Sequence, residues 1–144
     1  MKRILVLNGP NLGRLGTRQP EIYGTTTLAE LEERLRARGA ELGVQVECIQ
    51  SDDVAALIAA LSDGAADAAI LNPAALSHYS VSLREAVEGC GFPVFEVHIS
   101  NIYAREPYRR HSLISPVARG SIVGLGVEGY VLALEAAVTE ANRR

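Results

Sequence analysis

Apolar residues recur along this chain in two rhythms. Short runs rich in aliphatic and β-branched side chains, at 3–7, 44–49, 68–71, 93–97 and 121–123, read as strands. Between them, apolar positions fall three and four apart, the spacing of one helix face. Leu28, Leu31, Leu35 and Leu42 mark a helix over 27–42, and Val54, Leu57, Ile58 and Leu61 mark a second. Leu83, Ala86, Val87 and Cys90 mark a third, and 127–142 reads as the last.

This alternation predicts a parallel sheet, because each parallel crossover needs a connection of helix length. Five strands in 144 residues suit a flavodoxin-like order, an α/β three-layer sandwich with helices on both faces of a five-stranded parallel sheet. Residues 1–144 are read as a single domain, long enough for one sizeable core. Two connections are long, 8–26 and 98–120, and loops of that length in compact domains are commonly functional. Each follows the carboxyl end of a strand, where open α/β sheets bind ligands.

Composition narrows the function classes. An apolar content of 48% belongs to a folded protein, and disorder is not predicted. A net charge of -3 and a pI near 5.6 give no footprint for nucleic acid. No stretch approaches the ~18 apolar residues of a membrane span. The apolar run at 4–7 stops at Asn8-Gly9-Pro10, short of the roughly 7–15 residues of a secretory core, so export is not predicted. Cys48 and Cys90 lack CxxC spacing and read as reduced core residues of a cytoplasmic protein.

Polar clusters mark three strand ends. Asn8-Gly-Pro-Asn11 stands with Arg18 and Tyr23, Asn72 with His78, and His98-Ile-Ser-Asn101 with Arg105 and Arg109. Amide, imidazole, hydroxyl and guanidinium groups together suit a small polyhydroxylated anion. His78, His98 and His111 have no metal-binding spacing, so no metal site is predicted. Gly124-Leu-Gly126-Val-Glu-Gly129 fits GxGxxG, but no further strand follows its helix. It reads as a tight turn with close helix packing rather than a nucleotide fingerprint.

Three blocks then carry a resemblance over essentially the whole chain. NGPNLGRLGTRQPEIYG (8–24), ILNPAALSHYSVSLREAV (70–87) and FEVHISNIYAREPYRRHSLISP (95–116) resemble, in order and spacing, the signature blocks of the type II dehydroquinases. The resemblance implies a cofactor-free 3-dehydroquinate dehydratase of flavodoxin-like fold, assembled as a homododecamer of four trimers. It implies that Tyr23 is the base at C2 of 3-dehydroquinate and that Arg18 holds it ionised. Asn11 resembles the asparagine that places a water near the enolate oxygen. His98 resembles the acid at the departing C1 hydroxyl, with Glu96 orienting its ring. Ile99 and Ser100 resemble the carboxylate cradle, while Asn72, His78 and Arg109 resemble groups holding the carboxylate and hydroxyls. Arg105 matches a second arginine of the mobile loop. Glu85 stands where the family has an aspartate that reaches a neighbouring subunit's site. Gly13-Arg14, Gln19, Pro73-Ala-Ala75 and Tyr79 also depart from the common pattern.

The chemistry is consistent with these roles. A free tyrosine ionises near ~10, so a phenolate at neutral pH requires roughly 4 kcal/mol of differential stabilisation. A guanidinium within ~4–6 Å can supply it. The only lysine is Lys2, at the start of the first strand. A Schiff-base dehydration therefore has no candidate amine, which leaves an enolate held by hydrogen-bond donors. The rival reading is a catalytically inactive flavodoxin-like binding domain. A phospho-acceptor version needs an acidic pocket at the first strand end, where this chain has Asn8, Gly9 and Asn11.

Overall fold

The computed structural model describes residues 1–63 and 65–144. Its strands are β1 (Lys2–Asn8), β2 (Val44–Gln50), β3 (Ala68–Asn72), β4 (Val94–His98) and β5 (Gly120–Val123). They form one parallel sheet in the order β2-β1-β3-β4-β5, the doubly wound order expected from the alternation. The helices are α1 (Pro20–Tyr23), a single turn, then α2 (Leu28–Glu41), α3 (Val54–Ser62), α4 (Val81–Glu88) and α5 (Glu128–Asn142).

Alternation along the strands divides the interior into two cores. Ile4, Val6 and Ile70 point into one apolar cluster with Leu31 and Leu35 of α2 and Leu134 of α5. Leu5, Leu7 and Leu71 point into the other, with Leu57 and Leu61 of α3 and Leu83 and Val87 of α4. A strand buried on both faces needs apolar residues at every position, and the central β3 is buried throughout.

Helix starts are set by local chemistry. Thr27 and Glu30 form a reciprocal capping box at α2. Asp53 caps α3 through the Ala55 N–H, and Ser80 caps α4 through the Leu83 N–H. Gly39 of α2 sits where a Cβ would come within 2.5 Å of a Val46 methyl, so α2 lies close on β2.

Four strands, β1 to β4, run one residue past their apolar runs, β2 to Gln50. β1, β3 and β4 end on Asn8, Asn72 and His98, because the backbone of these polar residues still pairs in the ladder. Asn8 stands in register with Asn72. The cysteines depart from their expected core positions. Cys48 and Cys90 are free and half-buried, at the rims of the two clusters. Cys48 lies on the edge strand β2, and Cys90 lies beyond the end of α4. Burial, the largest influence, still raises the Cys48 thiol to about 11.

Candidate active site

The carboxyl ends of β1, β3 and β4 open into one cavity at the sheet's edge. It is lined by Asn11, Arg18, Tyr23, Asn72, His78, His98, Ile99, Ser100, Arg105 and Arg109. Every site residue singled out in the sequence is there except Glu85 and Glu96.

The first wall is the connection after β1, which is folded rather than free. Asn11 takes a left-handed conformation, φ 70°, and its N–H donates to Asp52 at 2.8 Å. The Gln50 amide donates to the Gly9 carbonyl at 3.1 Å, so the end of β2 braces this segment. Arg14 donates to the Asn11 side-chain oxygen at 2.9 Å, leaving the amide nitrogen as that side chain's other polar group. Tyr23 closes the single turn α1, which Pro20 begins and Gly24 ends at φ 82°. Its hydroxyl accepts a hydrogen bond from Arg105 Nη1 at 2.9 Å. The Arg18 and Arg105 guanidiniums lie 5.0 and 5.4 Å from the ring centroid. Arg105 also donates to Ser100 Oγ at 3.1 Å, which ties the connection after β4 to Tyr23.

The second wall is β4. Two residues apart on one strand, Glu96 and His98 project on the same face. His98 Nε2 lies 2.7 Å from Glu96 Oε2. Glu96 is wholly buried beneath His98 rather than lining the cavity. Burial pushes its carboxyl up, but His98 and the hydroxyls of Ser112 and Ser115 outweigh that and hold it below the usual range.

The remaining residues are placed unequally. Asn72 reaches the cavity, yet its Nδ2 donates to the Tyr130 hydroxyl at 2.8 Å and its Oδ1 accepts from the Ala74 N–H at 3.0 Å. The second Nδ2 hydrogen and one lone pair of Oδ1 are left for a ligand. His78 is held through Nδ1 by the His111 carbonyl at 2.7 Å, and burial, its largest influence, lowers its pKa. Arg109 is mostly buried and bonded through Nε to Glu106, while Arg110 is exposed as a solvated charge. Glu85 is exposed on α4 and does not reach this cavity.

Several supporting residues escaped the sequence reading. Tyr130 is wholly buried and donates to Asn8 Oδ1 at 2.6 Å. The serines around Glu96 gave no signal, because hydroxyls of a loop are commonplace until a buried carboxylate is seen beside them. The glycine string proves to be a turn: Gly124 and Gly126 have φ of 86° and 62°. Their N–H groups donate to the carbonyls of His98 and Ile99 at 3.1 and 3.0 Å, which secures the strand end beneath the cavity. Among the described residues, no group of three or more His, Cys, Asp or Glu side chains is gathered for a metal ion. No helix among them is long and apolar enough to cross a membrane.

Comparison with known proteins gives a consistent picture. The family described as dehydroquinase class II matches residues 2–138. A 3-dehydroquinate dehydratase of Salinispora arenicola is 57% identical, over 92% of this chain and 94% of that protein. A 3-dehydroquinate dehydratase of Desulforudis audaxviator is 52% identical, over 98% and 95%. The crystal structure of a type II dehydroquinase from Propionibacterium acnes superposes with a TM-score of 0.93 at 49% identity, covering 96% of this chain and 97% of that one.

Proposed function

The chain belongs to the class II dehydroquinase family, and from that premise we propose that it is a hydro-lyase acting on 3-dehydroquinate. Water leaves by anti elimination through an enolate, with Tyr23 as base and His98 as acid. One observation carries the reading: the Tyr23 hydroxyl, bonded to Arg105 and flanked by Arg18, shares a cavity with the Glu96-bound His98.

Arg105 and Arg18 hold the Tyr23 hydroxyl and ring in place, and the base acts as its phenolate. The phenolate takes the C2 proton, and the C2–H electrons move into an enolate across C2 and C3. Asn11 holds a water against the enolate oxygen, supplying the donors such an anion needs. As the enolate collapses, the C1–C2 double bond forms and the C1–O bond breaks. His98 gives its proton to the departing hydroxyl, which leaves as water. Tyr23 ends one proton richer and His98 one poorer, and exchange with water resets both. Ile99, Ser100, Asn72, His78, Arg105 and Arg109 hold the substrate's carboxylate and hydroxyls. Lys2 begins β1, and the cavity lies beyond its far end, roughly 20 Å away at ~3.3 Å per residue. The amine route therefore has no reach into the site.

The reaction serves the shikimate route. The proposal extends to a cytoplasmic homododecamer in which Glu85 faces a neighbour's cavity, as the family's aspartate does. The test is appearance of the conjugated enone by ultraviolet absorbance with 3-dehydroquinate. Wild type turns over, and Tyr23→Phe loses about 10²–10⁴-fold in kcat, the usual worth of a positioned proton-transfer group. A well-folded wild type without turnover sinks the assignment. Full activity in Tyr23→Phe sinks the base.

A further inference from the structure

Glu96 is a buried carboxylate whose acceptor positions are filled almost entirely by hydroxyls. Oε2 meets His98 Nε2 at 2.7 Å and Ser112 Oγ at 2.6 Å. Oε1 meets Ser115 Oγ, and Ser121 Oγ at 3.0 Å. An ionised carboxylate offers about four lone-pair sites, so this one is full. Its hydrogen-bond partners include no guanidinium or ammonium group.

The direction of these bonds follows from valence. Ser112 Oγ accepts the N–H groups of Ile114 and Ser115, both at 3.1 Å. A hydroxyl has two acceptor sites and one proton. With both acceptor sites used, the Ser112 proton has only Glu96 to meet. Held ionised by these partners, Glu96 has no proton to give, so Oε2 accepts from both and His98 Nε2 is the donor.

We propose that Ser112, Ser115 and Ser121 are positioning residues that keep Glu96 an acceptor on every side, so that His98 keeps a proton on Nε2 throughout and gains and gives the reacting proton through Nδ1. Hydroxyls suit this task better than an arginine, because they fix the carboxylate without cancelling its charge. The uncancelled charge then acts on the imidazolium from which Nδ1 donates, and it returns the neutral ring to the same tautomer. Ser112 also makes a turn within the connection after β4. The connection after β4 and the acid His98 are thus tied to one carboxylate.

The inference rests on His98 being the acid, so the experiment separates the two. Ser115→Ala, Ser115→Thr and His98→Ala are compared with wild type for kcat and KM, with thermal midpoints as a check on folding. Histidine-labelled ¹H–¹⁵N spectra of wild type and Ser115→Ala are taken without ligand; only His78, His98 and His111 contribute. Ser115→Ala should lower kcat about tenfold, the worth of one hydrogen bond to a charged group, at unchanged KM. Ser115→Thr should restore it. Wild-type His98 should keep a protonated Nε2 whether or not Nδ1 carries the exchanging proton, and Ser115→Ala should show Nε2 partly bare once the ring is neutral. Wild-type kcat in Ser115→Ala, or a bare Nε2 in wild type, overturns the positioning role. Retained activity in His98→Ala overturns the acid itself and leaves the tautomer result to judge the serines.

Discussion

Tyr130 carries a hydroxyl into the centre of the molecule, 0% exposed, and burial raises its pKa so that it stays neutral. There it donates to Asn8 and accepts from Asn72, the two residues that end neighbouring strands in register. It acts as a clasp between β1 and β3 beneath the cavity floor. The clasp is already short of partners, since Asn8 Nδ2 is buried with none. Tyr130→Phe keeps the ring packed but leaves Asn8 Oδ1 and one Asn72 hydrogen unmet. The expected loss is about 1–3 kcal/mol, the cost of stranding buried polar atoms, read from denaturant titration. Turnover should fall as well, because Asn72 is then free to turn. An unchanged unfolding midpoint would show that both asparagines find other partners. Nothing in the sequence marks this hydroxyl, because a tyrosine at the head of an apolar helix reads equally well as packing.

Where elements meet, the strand ends are held by close backbone approach. Gly9 follows β1 directly, and its N–H donates to the Asn72 carbonyl at 2.8 Å. A Cβ there would lie 2.8 Å from the Pro73 carbonyl oxygen, a backbone atom that cannot swing aside. Gly9→Ala must therefore part the connections after β1 and β3. Forced overpacking of this kind costs typically 1–3 kcal/mol, and it displaces Asn11 and Ala74 on opposite sides of the split. A lower unfolding midpoint with a sharply lower kcat/KM is expected; an unaffected enzyme would mean the two connections shift without consequence. The strands and long helices were legible in the sequence because period 2 and period 3.6 are forced by burial. The single turn α1 and the five-residue 3-10 helix at Ala74–His78 were not. They are too short for periodicity, and tertiary contacts hold them, Arg105 on the Tyr23 hydroxyl and the Leu113 N–H on the Ser77 carbonyl. Even so, Tyr23 and His78 could be named in advance, since the resemblance blocks carry chemistry where periodicity carries none.

Taken whole, the molecule gathers distant residues at one edge because all five strands point the same way. Asn11, Asn72 and His98 meet there as a consequence of topology. That logic fails for Glu85, which sits midway along α4 facing outward. Its neighbour one turn earlier on the same face is Val81, 57% exposed, and Tyr79 just before the helix is 66% exposed. Residues four apart on a helix share a face, so the charge and its apolar surround form one patch. In the proposed dodecamer that patch is covered and Glu85 meets a neighbour's cavity. Light scattering should then report twelve times the 15.4 kDa of the chain. Val81→Arg places an unpaired charge in the contact and should lower both the mass and kcat/KM. Glu85→Ala should keep the mass and raise KM, because it removes a polar contact to the substrate side without opening the apolar seam. A Val81→Arg protein that is smaller yet fully active would confine the site to a single chain, and Glu85 would lose its part in it.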